Sequence, residues 1–286
     1  MSEQAFPVPL SQQREELSAA LAHIRQSTQR DYPFALIGGS GLDLASLIEE
    51  EDARLPLVGI PHLAPATVAG HRGELILGTC QGKPLALQLG RLHYYEGHSL
   101  YRVTFPVRLL SALGARVLVV TTASGGIHRD MAPGDVMLHS DFINLLGDDP
   151  LRGVEVEPGR PRFLDLSAPY DLELTDLLEE ALLGAGLVVH RGTFAARPGP
   201  CYETRAEIEM LRSLGVGAVS MSTVPEVVVG NHLGMRVVGL SIITNRAGVG
   251  KLSHEEVLRV SQQASERLCQ ALQSFLARAE AGGEGG

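Results

Sequence analysis

The sequence contains no tryptophan, only 5% aromatic residues and only three cysteines. Few aromatic rings leave little for stacking against single-stranded nucleic acid. Cys80, Cys201 and Cys269 lie far apart and form no CxxC pair, which argues against a disulfide framework and a zinc site. No apolar run approaches the roughly 18 residues of a membrane span, and Met1–Leu17 lacks the apolar core of a signal peptide. We therefore expect a cytoplasmic protein with reduced thiols.

Positive charge is also scarce. The chain has 24 Lys and Arg residues against 33 Asp and Glu residues, which gives a net charge of −9. This balance disfavours general binding to nucleic acid or to an anionic membrane, although it allows a local basic pocket. Apolar residues make up 44% of the 286 positions, enough for a sizeable core. We expect a globular protein that binds neither nucleic acid nor membranes.

Short apolar strands alternate with helical patterns along most of the chain. The predicted strands are 34–37, 74–80, 84–89, 116–121, 135–139, 187–195, 218–221 and 236–243. The predicted helices are 11–30, 42–50, 99–113, 172–184, 204–214, 224–233 and 254–278. Such alternation predicts an α/β fold, a single domain whose central, mixed and largely parallel twisted sheet is flanked by helices. We place this domain at 11–278, between a flexible lead at 1–10 and a disordered tail at 279–286.

Chemically active side chains follow the predicted strand 84–89. Arg91 and His93 stand two residues apart, so in an extended segment they project to the same side. A guanidinium fork suits an oxyanion, and an imidazole adds a second donor. Strand ends of an α/β sheet are where ligands bind. These residues therefore predict an anion site, although a solvated basic corner is the alternative.

Two glycine-rich segments also follow predicted strands. Gly38–Leu42 places Ser40 beside glycines that let the backbone approach a ligand closely. A dinucleotide fingerprint fails because Leu44 stands where a glycine is required, and no Lys-Ser/Thr pair completes a P-loop. Thr121–Gly126 follows the most apolar strand. Either segment could be a simple turn, or it could hold a small oxyanion with Ser222, which ends another strand.

Other strand ends carry groups suited to a polar heterocycle. Tyr202 offers a ring for stacking and Glu203 a carboxylate that accepts N–H donors. Glu203 could instead be a carboxylate that favours the start of the next helix. Asn245 closes the last strand with an amide. The long loop 144–167 contains Gly and Pro and has the length of a functional loop.

Several motifs, in this order, resemble the trimeric purine nucleoside phosphorylases. They are GRLHYYEG (90–97), TFPVRLL (104–110), ASGGI (123–127), PGPCYET (198–204), GAVSMSTVPEV (217–227), SIITN (241–245) and HEEVL (254–258). The resemblance runs from about Phe34 to Leu268. It implies the nucleoside phosphorylase fold and a pentosyl transfer in which inorganic phosphate cleaves a purine nucleoside.

The resemblance also assigns roles to individual residues. The phosphate ligands that it implies are Ser40, His71, Arg91, His93, Ala123 through its amide, and Ser222. The nucleoside contacts that it implies are Tyr95, Phe163, Tyr202, Glu203, Val219, Met221, Thr244, Asn245 and His254. His93, Glu203 and Asn245 are the expected catalytic residues. Two departures concern loops: Ala69 stands where a proline is common, and the segment 246–251 is short and glycine-rich.

The Glu203 and Asn245 pair predicts which purine is used. A 6-oxopurine has a donor at N1 and an acceptor at O6, which match a carboxylate and an amide. Adenine has no proton at N1, so buried polar groups would be mispaired. We therefore expect inosine or guanosine, or their deoxy forms. Methylthioadenosine phosphorylases look similar but typically carry aspartate at the position of Asn245, and they are the alternative enzyme. A non-catalytic nucleoside sensor on the same fold is the alternative outside enzymes.

The resemblance implies no metal or organic cofactor, because inorganic phosphate is the co-substrate. It also implies a homotrimer in which Phe163 reaches the neighbouring subunit's site. From the residues alone, an aromatic ring in a polar, proline-containing loop could equally pack under its own loop.

Overall fold

The most apolar segments of the chain form the centre of the sheet, as a computed structural model of the protein shows. The structure describes residues 7–64, 73–248 and 254–282. Within them the strands are β1 (Phe34–Gly38), β2 (Glu50–Pro56), β3 (Glu74–Cys80), β4 (Lys83–Leu89), β5 (Val117–Gly126), β6 (Val136–Asn144), β7 (Val189–Ala196), β8 (Val216–Ser220) and β9 (Arg236–Arg246). The helices are α1 (Leu10–Ile24), α2 (Leu100–Ala112), α3 (Leu172–Gly184), α4 (Arg205–Ser213), α5 (Val224–His232) and α6 (His254–Arg278).

The described strands form one mixed sheet in the order β2-β3-β4-β1-β5-β8-β7-β6-β9. Strand β5 also pairs in parallel with β9, so the strands from β5 to β9 close into a ring. The pairings β1–β4, β1–β5, β5–β9, β6–β7 and β7–β8 are parallel. The pairings of β2 with β3, β3 with β4, β5 with β8 and β6 with β9 are antiparallel. The predicted mixed α/β fold is confirmed.

Helices cover both faces of the sheet because its central strands are apolar on both sides. Along β5, Val119 packs with α3 and α6. Its neighbours Leu118 and Val120 pack on the opposite face with α1, α2 and α5. Successive strand residues point to opposite faces. A strand buried on both faces therefore needs the unbroken apolar run that the sequence has there.

One predicted element is wrong, and one strand was missed. The helix predicted at 42–50 is a single 3-10 turn at Ala45–Leu47, and the chain then enters β2. Strand β2 is an edge strand with mostly exposed, charged residues, so it lacks the alternating apolar pattern of a half-buried strand. It pairs with β3 where Gly78 leaves room, since a Cβ there would lie 2.3 Å from the Glu50 carbonyl oxygen.

Both ends of the described chain pack on the domain, where the sequence predicts a flexible lead and a disordered tail. Val8 is fully buried, and its amide donates to the Gly153 carbonyl at 2.7 Å. Ala279 is 1% exposed, and its carbonyl accepts from Lys83 Nζ. Helix α1 also ends at Ile24, earlier than the predicted Arg30. Residues at each end of the described chain therefore bury apolar surface against the domain.

Candidate active site

A cleft of about 650 Å³ lies at the carboxyl ends of several strands. This is where an α/β sheet places its ligands. Its lining includes ten of the predicted site residues: Ser40, His93, Tyr95, Ala123, Tyr202, Glu203, Val219, Met221, Thr244 and Asn245. Segments from β1 to α6 are far apart in sequence, so only the fold brings them together. We call Ser40, His93 and Ala123 of this lining, together with Arg91 and Ser222 beside it, the Arg91 end, and the part with Tyr202, Glu203, Val219, Thr244 and Asn245 the Glu203 end.

Arg91 lies in the protein interior at the first of these ends. It is 2% exposed, and it forms an ion pair with Glu226, which is 3% exposed, through Nε and Oε1 at 3.0 Å. Its Nη1 donates to the Thr121 carbonyl at 2.7 Å. Burial raises the pKa of Glu226, while the Arg91 charge opposes that rise. Removing either partner would leave a buried charge without its counter-charge, which is strongly destabilising.

Ser222 adjoins the cleft in a smaller cavity, which shares His93 and Met221 with it. Its hydroxyl lies 3.1 Å from Thr122 Oγ1 and 3.2 Å from Thr223 Oγ1. Thr223 has φ 76° and ψ −55°, and the Val224 amide donates to the Ser222 carbonyl at 2.9 Å. This is a γ-turn, a strained conformation for a residue with a side chain. Strained turns cluster at functional sites, where the surroundings hold them in place.

His93 has a fixed orientation beside the cleft. Its Nδ1 lies 3.3 Å from Glu96 Oε1, which also accepts from the His93 amide at 2.6 Å. Its ring stacks on Tyr95 at 4.8 Å between centroids. Burial raises the pKa of Tyr95 to about 12, so this phenol stays neutral at physiological pH. The two rings therefore form one rigid wall of the cleft.

The first glycine-rich loop approaches β5 closely. The Gly39 amide donates to Thr121 Oγ1 at 2.8 Å, and a Cβ on Gly39 would lie 2.8 Å from the Thr122 Cα. Any side chain there would push the loop away from the strand. Because Gly39 has no side chain, the loop lies close to β5, and Ser40 lines the cleft together with Ala123.

The start of α4 positions Glu203. Thr204 caps this helix: its hydroxyl oxygen accepts from the Glu207 amide. In return, the Glu207 carboxylate accepts from the Thr204 amide. Glu203 precedes that cap and is half-buried. Burial raises the pKa of Glu203. The positive charge of Arg197 lowers this pKa, and the negative charge of Glu207 raises it further. A carboxyl with a raised pKa in a cleft is typical of a functional group. Tyr202 beside it is 47% exposed.

Asn245 is held by its neighbours at the end of β9. The Thr244 hydroxyl donates to Asn245 Oδ1 at 3.0 Å, which leaves the Nδ2 side as the donor. A Cβ on Gly125 would lie 3.4 Å from that Nδ2, so the glycine keeps this side of the amide open. The result is an amide that presents N–H groups at the same end of the cleft as a carboxylate.

A buried polar chain supports this part of β9. Ser124 Oγ donates to Ser241 Oγ at 2.8 Å, and Ser241 Oγ lies 2.8 Å from His139 Nε2. Burial lowers the pKa of His139 to about 3, so its ring is neutral. Tyr170 closes the chain at 3.3 Å from His139 Nδ1. Buried polar groups with satisfied hydrogen bonds specify one arrangement of a core, and here they connect β6 to two strands of the site.

Five predicted site residues are not among the described residues that line the cleft itself: Arg91 and Ser222 are described above, and the other three are Phe163, His71 and His254. Phe163 is 91% exposed in the loop before α3, so the alternative that it packs under its own loop is wrong. His71 lies outside the described residues. His254 begins α6, but its side chain is also outside them. The short, glycine-rich segment 246–251 is described only as far as residue 248.

The sequence analysis missed several residues of the site. Ser124, Gly125, Ser220 and Val257 also line the cleft. Glu226 and Glu96 hold Arg91 and His93 and were not singled out. A signal for Glu226 was present, since it is a single carboxylate in the otherwise apolar start of α5. Glu96 gave no such signal in the sequence, because its contact with His93 depends on the 3-10 turn at Tyr94–Glu96.

Two negative findings apply to the part of the chain that the structure describes. No group of three or more His, Cys, Asp or Glu side chains is arranged to hold a metal ion there. In the same residues, no helix has the length and apolar character needed to span a membrane.

Comparisons with known proteins agree with this geometry. Residues 33–277 match the family model of the phosphorylase superfamily. Purine nucleoside phosphorylase 1 of Bacillus subtilis is 40% identical over 93% of this chain and 100% of its own length. The Saccharomyces cerevisiae purine nucleoside phosphorylase is 41% identical over 90% of this chain and 94% of its own. The crystal structure of the Schistosoma mansoni enzyme with inosine superposes with a TM-score of 0.85 at 32% identity, covering 93% of this chain and 97% of that one. The chain belongs to the purine nucleoside phosphorylase family and is a pentosyltransferase.

Proposed function

We propose that this cleft catalyses the reversible phosphorolysis of 6-oxopurine ribonucleosides and deoxyribonucleosides. Inosine or guanosine and inorganic phosphate would give the free base and ribose 1-phosphate. The observation that carries the proposal is the pairing of Glu203 with Asn245 at one end of a cleft whose other end has Ser222 and His93. The first pair matches a purine edge, and the second provides donors for an anion.

Phosphate would bind at the Arg91 end. Ser40, His93, Ser222 and the Ala123 amide are the proposed direct donors, and Arg91 contributes positive charge from the interior. The bond from C1′ to N9 breaks with its electron pair going to the purine, and a phosphate oxygen forms the new bond to C1′. A sugar cation with oxocarbenium character develops between them. Fixed donors keep the phosphate next to this cation, which lowers the barrier through proximity and charge stabilisation.

The purine would leave from the Glu203 end. Asn245 Nδ2 donates to N7 or O6 and stabilises the negative charge that grows on the base. Glu203 accepts from N1–H. The contact from Thr244 to Asn245 Oδ1 supports this direction of the amide. Adenine would place an unprotonated N1 against Glu203, and each mispaired buried group costs about 1–3 kcal/mol.

The remaining lining residues would hold the nucleoside in position. Tyr202 lies where it can stack on the base, and Val219 lines the base pocket. Tyr95 and Met221 are the proposed ribose contacts. A Cβ on Gly199 would lie 2.5 Å from Met221 Sδ and 2.9 Å from Tyr95 Cδ1, so these two side chains pack tightly on one backbone segment.

Turnover is the test of the purine preference, because a relative has been crystallised with both kinds of purine nucleoside. The Schistosoma mansoni enzyme has been crystallised with inosine and also with adenosine. We therefore suggest assaying inosine, guanosine, adenosine and methylthioadenosine, each with and without phosphate. The proposal expects efficient, phosphate-dependent turnover of the first two. Preferred turnover of methylthioadenosine would identify the alternative enzyme, and binding without turnover would identify a sensor.

A homotrimer with shared sites is part of the proposal. Phe163 is 91% exposed, and an apolar ring in that position favours burial against another subunit. The proposed contact is with the ribose end of the neighbouring cleft. Sedimentation should give a trimer, and Phe163→Ala should raise the Michaelis constant for inosine while barely changing the unfolding temperature. A fully active monomer would contradict this assembly.

The proposed reaction assigns no metal or organic cofactor, because phosphate is both nucleophile and co-substrate. A cytoplasmic location is likewise proposed. It is supported by the free thiols of Cys80, Cys201 and Cys269.

A further inference from the structure

A second cavity of about 210 Å³ lies away from the cleft. Helices α1, α2 and α5 and the loop at 155–160 form its walls, and it shares no lining residue with the cleft. Its basic members are Arg14, Arg108, Arg160 and His232. We call it the Arg108 cavity. The phosphorolysis described above uses none of these residues.

Arg108 is buried in an unusual way. It is 8% exposed, and its guanidinium lies over the Tyr101 ring at 5.3 Å. Nε and Nη2 are buried and have no hydrogen-bond partner among the residues that the structure describes. Burial lowers the pKa of Arg108. Buried charged groups are normally paired, so this guanidinium lacks the partner that its position calls for.

The carboxylates nearby are bound to other groups. Glu16 accepts from Arg102 at 2.6 Å and 2.9 Å and from the Tyr101 hydroxyl at 3.1 Å. Glu155 Oε2 accepts from the Leu10 amide at 2.8 Å, and Glu157 Oε1 forms an ion pair with Arg14 at 3.0 Å. Each carboxylate therefore has a role in fixing α1 or the loop, and Arg108 is left facing an accessible cavity.

A second buried group of the cavity also has an atom without a hydrogen-bond partner among the described residues. His232 is 7% exposed, and its Nδ1 has no hydrogen-bond partner within the described part of the chain. Burial lowers its pKa, and so do the charges of Arg108 and Arg160. Those two charges are thus close enough to act on one ring. Two positive charges this close to one cavity favour the binding of an anion there.

We propose that the Arg108 cavity binds a phosphate-type oxyanion. Arg108 lines the cavity with Arg14 and Arg160, and guanidinium groups recognise the oxygens of a tetrahedral anion through charge-assisted hydrogen bonds. Arg160 would close the site from the exposed loop. Free phosphate and the phosphate group of a small metabolite share this chemistry.

The test is the number of phosphate ions bound per subunit, measured by equilibrium dialysis with labelled inorganic phosphate. The full chain should bind one ion in the cleft and one in the Arg108 cavity. Arg108→Met should lose the second ion and keep phosphate-dependent turnover. Arg152→Met changes an exposed arginine of the same loop, outside the cavity, and should keep both ions.

A second variant covers the case in which Arg108→Met does not fold. Arg160→Gln alters only an exposed side chain of the cavity and should weaken the second ion about tenfold, as expected for loss of a charge-assisted contact. A competition arm with a nucleoside monophosphate tests which source binds more tightly. Only one ion per subunit in the unmodified chain, or a second ion unaffected in both variants, would overturn the proposal. Arg91→Ala should lose the other ion, so failure of the cleft proposal is separately visible.

Discussion

The two ends of the cleft are built in different ways. At the Arg91 end, Arg91, Ser222 and His93 are all under 9% exposed; Arg91 and Ser222 have buried partners on other elements, and His93 is held by Glu96 in the adjoining turn. At the Glu203 end, Tyr202 is 47% exposed and Glu203 stands on a loop before α4. The Arg91 end is thus part of the core, and its geometry is costly to change. At the Glu203 end, Tyr202, Glu203 and Asn245 are not fully buried, so substitutions of these residues should alter specificity while stability stays nearly constant.

The largest effect is expected for Arg91→Ala. It leaves Glu226 buried without its counter-charge, which should lower the free energy of unfolding by about 3–5 kcal/mol. Catalytic efficiency with phosphate should fall by at least about tenfold. Urea unfolding and phosphate titrations measure the two effects. Arg259→Ala, an exposed control, should change neither.

The paired variant Arg91→Met with Glu226→Leu sharpens this prediction. Replacing both charges by apolar groups should recover much of the lost stability but none of the phosphate use. If Arg91→Ala kept both the stability and the phosphate dependence of the unmodified chain, the contrast between the two ends would be lost.

Asn245→Asp should leave stability nearly unchanged and shift preference from inosine toward adenosine by about tenfold or more, as mispairing of about 1–3 kcal/mol implies. An aspartate repels O6 but accepts from a 6-amino group. The ratio of the two efficiencies is the measurement. Asn245→Ala is the control, because it should lower inosine turnover without raising that of adenosine. An unaltered ratio in the aspartate variant would mean that Asn245 does not contact the base edge.

Glu203 should set the acid limb of the pH profile. Its ionised form is the one that accepts N1–H, and burial raises its pKa above the ordinary carboxyl value. Catalytic efficiency with inosine should therefore fall as the pH drops through that raised pKa. An exposed carboxyl would lose its charge only at a lower pH. Glu203→Gln should cost roughly tenfold and abolish this limb. Glu209→Gln, an exposed control on α4, should keep it. The same limb in Glu203→Gln would assign it to another group.

The smallest effect is expected for Thr244→Val. It removes the hydroxyl that donates to Asn245 Oδ1, and a neutral hydrogen bond contributes about 0.5–1.5 kcal/mol. The inosine-to-adenosine ratio should fall a few-fold. Thr244→Ser retains the hydroxyl and should keep the ratio. Equal ratios for the valine and serine variants would show that the hydroxyl does not orient the amide.

The same contrast explains what the sequence could predict. The core strands were recognisable because runs such as Val117–Val120 are apolar on both faces. Strand β2 was missed because a charged edge strand has no such pattern, and the end of β5 was taken for a loop because Ser and Gly hide its pairing with β9. Motifs at strand ends predicted most of the cleft lining.

The partners of those motifs could not be predicted in the same way. Glu226 is 135 positions from Arg91 in the chain, and no local pattern joins them. The hydrogen bonds that link the side chains of Tyr170, His139, Ser241 and Ser124 likewise depend on how β6 and β9 pair. Residues that contact a ligand occur in recognisable segments, whereas the residues that hold them are fixed by tertiary structure.

The most direct test of the central claim mixes inosine and inorganic phosphate with the protein, follows the phosphate species by phosphorus NMR and follows the nucleoside and the free base by proton NMR. The account predicts that the phosphate signal declines as ribose 1-phosphate and hypoxanthine appear together, and that no base is released in phosphate-free buffer. Release of hypoxanthine with free ribose, at the same rate with and without phosphate, would contradict it.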